Sequence, residues 1–424
     1  MNRNILQNRW IDSLLATIFI FVVIRGLSSF LAIFEAIDVV GEALDDVEFT
    51  DVVYSNLREA PPAEDDIVLV NIGRLPRPAI AKQIEIINKY KPKVVGLDTF
   101  FPYPKGPDQD TALARVLTEV ENLVMASKML NFNEETASFD SLRISAPAFR
   151  FNADFAFANL ITSEGVQQED VKTCRSFNPL LPIQDTTQMS IAVRIAYYYA
   201  PEKVEKLLAR NNEIETINYK GNSLGSLSNF ATTFFALDWY DVLDENFVPE
   251  MIEDKIVIFG FLGEQFGDRY NIEDKYYTPL NQKYAGRGEP DMYGAVIHAN
   301  IISMILDEDY VYKLDESTQF IIAFILCYLN VFLFMWVYYA LKNWYDGITK
   351  VVQLLELLLI IGVMIYSYHL FNWNLELTLA MGTVAVVGDS LEVYNGVIKN
   401  MFTREGRKEL FSVGKRNKDE IEIN

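Results

Sequence analysis

Metal ligation and nucleophilic catalysis most often recruit histidine and cysteine, and this chain has only His298, His369, Cys174 and Cys327. So few, so scattered, they exclude His-rich metal motifs, a Cys-based zinc site and a disulfide framework. The residues left for chemistry are carboxylates. Asp98 follows the apolar run Lys93-Val94-Val95-Gly96-Leu97, and Asp268 and Thr278 follow Lys255-Ile256-Val257-Ile258-Phe259-Gly260. If both runs are parallel strands, all three residues lie beyond carboxyl strand ends, where open α/β sheets hold ligands, and converge on one cleft. The alternative is that these acids cap helices or tighten loops. His298 shares a helical face with Ile301, Ile302 and Ile305, which turns it toward a core. It reads as a hydrogen-bonded core histidine, with pH sensing as its functional alternative. No serine or cysteine sits in a strained nucleophile elbow, and Gly260-Phe261-Leu262-Gly263 is too bulky to cradle phosphate. The sequence therefore predicts no enzyme, no cofactor and no metal.

These residues need a scaffold, and the chain supplies an alternating pattern. Ile67–Ile72 is a short apolar run without helical period. Ala79–Tyr90 places Ile80, Ile84 and Ile87 on one helical face after Pro76 and Pro78. Strands follow at 93–97 and 123–125, separated by a helix over about 110–120. Helices are predicted at 189–199, 201–208 and 294–306, and strands at 214–219 and 255–260. Strand–helix–strand alternation implies parallel pairing with right-handed crossovers and helices on both faces. Residues 131–185 carry weak periodicity and no assignment.

The 424 residues are 50% hydrophobic with a net charge of −21, which disfavours nucleic acid as a partner. The apolar residues are concentrated in four runs of about the ~20 residues that cross a bilayer. They divide the chain into a cytoplasmic N-terminus (1–10), transmembrane helix 1 (11–34), an extracytoplasmic α/β domain (35–317), helix 2 (318–341), a cytoplasmic loop (342–350), helix 3 (351–368), an external hairpin (369–376), helix 4 (377–398) and a basic tail (399–424). Basic residues flank the runs on the side of both termini, so both termini are read as cytoplasmic. The domain between the first two runs has 25 basic and 47 acidic residues, hence essentially all of the negative charge. Ionisable residues inside a bilayer normally have partners. Arg25 and Asp389 fall at similar depths, and the expectation is that they pair, with Glu392 assisting from the same helical face.

Three segments resemble the type-2 CHASE domain, an extracytoplasmic sensory module of bacterial cyclases and histidine kinases. They are Lys93–Phe101 with Asp108 and Asp110, then Asp254–Gly260 with Asp268 and Thr278-Pro279, and Tyr293-Gly294-Ala295-Val296-Ile297-His298-Ala299-Asn300. The last is close to the family's glycine-x-x-x-histidine-alanine-asparagine signature. The resemblance implies a multi-pass sensor of the bacterial inner membrane with a periplasmic sensory domain; the candidate ligand contacts remain the strand-end residues Asp98, Asp268 and Thr278, with His298. It also implies an output domain, whereas only a short basic tail follows the last run. The output is therefore expected from a separate protein docking on the helices, loop or tail, with a second copy of the chain as a further partner. A structural subunit of an envelope complex is the alternative reading.

Overall fold

The computed structural model describes residues 9–35, 53–57, 62–133, 136, 138–161, 173–223, 233–265, 271–281 and 289–399. The chain divides into two compact units, Ala43–Val311 and the segments Met1–Glu42 and Tyr312–Asn424 together.

The first unit is built on a nine-stranded sheet. Its strands are β1 (Glu64–Asn71), β2 (Val94–Leu97), β3 (Leu123–Asn133), β4 (Ser138–Arg143), β5 (Ala153–Phe157), β6 (Leu180–Ile183), β7 (Thr186–Met189), β8 (Phe234–Leu237) and β9 (Ile256–Gly260). The spatial order is β8-β1-β9-β2-β3, every neighbouring pair parallel, and β5 continues the parallel pairing beyond β3. The second half of β3 leaves this ladder and pairs antiparallel with β4; β6 and β7 extend that edge. The mainly parallel α/β sheet was legible in the sequence. The strands found within 131–185 were not, because they are edge elements with exposed or half-buried positions.

Side-chain alternation explains the two faces. Val68, Val70, Val95, Leu97, Val257 and Phe259 meet helices α2 (Arg77–Lys89) and α3 (Pro107–Glu119) through Ile80, Ile84, Ile87, Leu113 and Val116. The intervening Ile67, Leu69, Ile256 and Ile258 are equally buried. That opposite face carries α4 (Ile191–Tyr199), with Ile195 seated directly on Gly96, and α7 (Gly294–Asp307). Two short helices, α5 (Pro201–Ala209) and α6 (Trp239–Leu243), complete this unit. Helix α7 is buried from Gly294 to Ile305, so it has no solvent-facing side.

One predicted strand is largely absent. Only Glu215–Thr216 of 214–219 is paired as strand. The N–H groups beyond it go elsewhere: Ile217 donates to Arg175 O, Asn218 to Met304 Sδ, and Lys220 and Gly221 to Asn300 Oδ1. Side chains of α7 thus replace a neighbouring strand.

The second unit contains α1 (Arg9–Glu35), α8 (Glu316–Ala340), α9 (Tyr345–Phe371) and α10 (Thr378–Val393), the last continuing into a π-helix, Tyr394–Ile398. Among the described residues, three helices are long and apolar enough to cross a membrane: the Arg9–Leu27 part of α1, α8 and α9. The expected fourth run gives a 16-residue α-helix before its hydrogen bonding shifts to the π pattern. Ala16, Ile20, Cys327, Val331, Phe334, Val387 and Leu391 form the packed core of this unit.

Candidate functional site

Three strand ends and one helix start define the site. Asp98 is the first residue after β2, and its N–H donates to Phe259 O at 2.8 Å, which extends the β9 ladder and fixes the residue beside Gly260. Gly260 must lack a side chain: a Cβ there would stand 2.5 Å from Ala295 Cβ, and 3.8 Å from Asp98 Oδ2. The first turn of α7 therefore closes directly over the end of β9. Gly294 donates its N–H to Asp274 O at 3.1 Å, and a Cβ on Gly294 would lie 3.4 Å from Asp274 Oδ2. Asp274 itself has a positive φ of 59°, a strained backbone for a non-glycine residue. One turn into α7, His298 brings Nε2 to 3.9 Å from Asp98 Oδ1.

These groups line a cleft of about 430 Å³, together with Ser127 at the end of the parallel part of β3, Phe100, Phe261 and Tyr276. The cleft is under-compensated. At 3.9 Å the Asp98–His298 approach is too long for a hydrogen bond. His298 is 3% exposed and Ser127 1%, and neither His298 Nδ1 nor Ser127 Oγ has a partner among the described residues. Burial depresses the His298 pKa to about 4, so the imidazole is neutral at physiological pH. Burial raises Asp98 to about 7. Asp274, on the exposed rim of the cleft, is pushed upward as well, by partial burial and by the nearby Asp98 and Glu273 charges. At the rim, Arg74 pairs with Glu273 and, at 2.7 Å, with Glu264.

The surrounding motif residues are structural. Asn300 accepts from Lys220 N–H at 2.8 Å and donates to Gly221 O at 2.9 Å and to Val296 O at 2.9 Å, stapling α7 to that segment. Asn71, at the end of β1, donates to Asp238 Oδ1 and Gly263 O and accepts from Gly73 and Leu262 N–H, which binds three loops together. Asp110 pairs with Arg77 and accepts from Lys105 and Gly106 N–H. The Arg77 guanidinium also lies over the Phe101 and Phe149 rings at 5.1 and 5.3 Å. This cluster anchors the segment that carries Asp98.

Of the residues singled out from sequence, Asp98 and His298 are brought together. Thr278 is not at the cleft wall: its hydroxyl donates to Asp291 Oδ2 at 2.6 Å and its N–H to Asp291 Oδ1 at 2.9 Å. Asp268 lies outside the described residues. Asp274 and Ser127 were not singled out. Asp268, Glu273 and Asp274 follow the same strand, and nothing in a single sequence distinguishes them.

In the helical unit, Asp389 takes Lys350 as its partner, Nζ to the two carboxylate oxygens at 2.7 and 2.9 Å, in place of the expected Arg25. The reason is a helix boundary. Because α9 begins at Tyr345, Lys350 lies within the helix instead of closing a loop, and its stem reaches α10. Glu392 is exposed and within electrostatic reach of Asp346, Asp389 and Lys350. The first and last helices are tied, but through Asp12, which accepts from Tyr394 Oη at 3.1 Å and pairs with Lys399.

A family model for the CHASE2 domain matches residues 51–340. No curated protein and no solved structure matches the chain.

Proposed function

We propose a ligand-sensing role from one premise: the chain belongs to the CHASE2 domain family, whose hallmark is a sensory domain. The α/β unit is read as the extracytoplasmic receiver and the helical unit as its multi-pass anchor in a bacterial inner membrane. In that anchor, α10 and its π-helical continuation form the fourth span. Both termini lie in the cytoplasm, and the signal passes to a separate protein rather than through catalysis by this chain.

One observation carries this reading. The cleft at the carboxyl ends of β2 and β9 is bordered by His298 and Ser127, whose Nδ1 and Oγ have no partner among the described residues, beside Asp98, a carboxyl raised by burial, and Asp274 at the rim. Desolvating such groups is costly unless something else satisfies them. A bound ligand would do so. Helix α7 gives the route of transmission: it starts at the cleft with Gly294, carries His298, and ends at Asp307, shortly before α8 begins at Glu316. A ligand that moved Asp98 or His298 would move the helix that leads into the first post-domain span.

The test is a thermal-shift screen of small polar compounds on the full-length chain in detergent, run in parallel with Asp98→Asn. A sensor gives at least one compound whose stabilisation is lost in the variant. Compounds that stabilise both proteins equally, or none at all, would overturn the assignment. Reporter fusions after residue 311 check the compartment: activity of a cytosol-dependent reporter there contradicts an external domain.

A further inference from the structure

We propose that the ligand of this cleft is an organic cation, a compound presenting a protonated amine or guanidinium group that seats between the carboxyls of Asp98 and Asp274. The inference rests on the cleft being the sensory site and adds the chemical class of what it senses.

The placement of charge comes first. Asp98 is fixed by β2 and β9 and Asp274 by the start of α7, so the cleft brings together two carboxyls from separate elements. Among the described residues, neither forms an ion pair with lysine or arginine; the nearest charged-pair geometry is Asp98 with the neutral His298 at 3.9 Å. The neighbouring cations are committed or peripheral. Arg74 is held by Glu264 and Glu273, Lys275 lies over the Tyr293 ring at 4.9 Å, and Lys128 is an exposed residue of the lining. The contrast with Asp110 matters here, since that buried carboxylate has its own arginine. A cation supplied from outside would do for Asp98 and Asp274 what Arg77 does for Asp110.

The rest of the lining suits an organic cation. Phe100, Phe261 and Tyr276 line the cleft, and aromatic rings attract an ammonium or guanidinium. Ser127 and the neutral His298 border the cleft, and Ser127 Oγ and His298 Nδ1 have no hydrogen-bond partner among the described residues. A volume of about 430 Å³ lies within the range of small-molecule pockets. A bare metal ion fits less well: among the described residues, no three acidic, histidine or cysteine side chains converge with ligand geometry.

Charge linkage makes the inference quantitative. The titratable or charged groups facing the pair are Glu273 and Tyr276 beside Asp274, His298 from α7 and Lys128 from β3. With Asp98 near 7, its enclosed carboxyl holds a proton at pH 6 and a cation must displace it, while Asp274 at the exposed rim is shifted in the same direction. Affinity therefore rises with pH, by up to tenfold per unit for each proton released.

The experiment titrates full-length protein in detergent with n-butylammonium, butane-1,4-diammonium and n-butylguanidinium chlorides, with sodium butyrate, n-butanol and calcium chloride as controls. Calorimetry at pH 6 and pH 8, in two buffers of different ionisation enthalpy, counts the protons. The expected result is cation binding at least tenfold tighter at pH 8, with proton release, and weakened at least tenfold by Asp98→Asn or Asp274→Asn. Proton release by the wild type keeps the test decisive if a variant fails to fold. Asp98-dependent binding of butyrate, butanol or calcium without the organic cations overturns the ligand class and leaves the site. Absence of any Asp98-dependent binding, in these titrations and in the broader screen, removes both.

Discussion

Asp98 opens the connection from β2 to α3 and Asp110 stands in the first turn of α3 at its far end, and the protein treats them in opposite ways. Asp110 is enclosed by Arg77, by two backbone N–H groups and by the start of α3. Burial pushes its pKa up, but Arg77 and the N–H groups of Lys105 and Gly106 outweigh this and hold it below the ordinary value. Asp98 receives no such compensation and burial alone lifts it to about 7. A carboxylate that serves the fold is satisfied by the fold, whereas one left unsatisfied in a cleft is available to something else. The Arg77 cluster satisfies the far end of the segment that Asp98 opens, while the cleft leaves Asp98 itself without a cation among the described residues.

The largest effect should come from the compensated half. Arg77→Met leaves the Asp110 carboxylate without its partner and removes the cation from the Phe101 and Phe149 rings. Breaking a buried pair from one side strongly destabilises, and a fall in melting temperature of about 5–10 °C is expected for a domain of this size. Melts of the purified full-length protein check it. A fall of under about 2 °C would mean that the cluster does not hold the segment.

The uncompensated half predicts the opposite sign. Because the folded-state pKa of Asp98 is raised, its contribution to stability is fully present at low pH. It declines as pH rises from the ordinary carboxylate value through about 7. Asp98→Asn removes the buried charge, so the variant should be more stable than wild type at pH 8, on the order of 2 kcal/mol, with the gain shrinking toward pH 4. His298 works the other way, since its depressed pKa makes stability fall as pH drops from about 6.5 to 4. His298 is present in both proteins, so the difference between variant and wild type at each pH reports the Asp98 carboxyl together with its coupling to Asp274. A variant less stable than wild type at pH 8 would show that Asp98 is compensated after all.

The sequence made the scaffold legible where burial was uniform. The runs at 67–72, 93–97 and 255–260 are strands covered on both faces, and near-continuous apolar residues rich in valine and isoleucine announce them. The site was only half legible. Asp98 and His298 were recoverable because a strand end and a helix stripe are sequence-local features. Asp274 was not, because its position depends on a loop fold with positive φ and on the approach of Gly294 from the far side of that loop. His298 illustrates the same limit: its helical stripe identified a core position, but whether a core position also borders a cavity is a tertiary property.

Thr278 provides a smaller test of the same contrast. Asp291 is buried and raised to about 6 by that burial, while the Thr278 hydroxyl and N–H, and Asn281, pull it back. Thr278→Val removes one donor to the charged form. The expected cost is about 1–2 kcal/mol at pH 8, less at pH 5 where Asp291 is largely protonated. Ligand binding in the cleft should be unchanged, because Thr278 serves Asp291 and not the cleft wall. Loss of binding without loss of stability would return Thr278 to the site.

The weakest effect belongs to the helical unit, where the pairing differs from the one anticipated. Lys350 and Asp389 have side chains 57% and 71% exposed, so both keep access to their surroundings. Exposed pairs contribute about 0.2–1 kcal/mol at most, and Lys350→Ala should shift the melting temperature by no more than about 2 °C. Asp12 gives the internal comparison, since it and Lys399 are far more enclosed, at 5% and 20%. If compensation scales with burial, Asp12→Ala must cost clearly more than Lys350→Ala, and the two variants measured side by side decide it. Equal costs would mean that enclosure does not govern how this unit uses its charges, and the rule drawn from Asp98 and Asp110 would then be confined to the α/β unit.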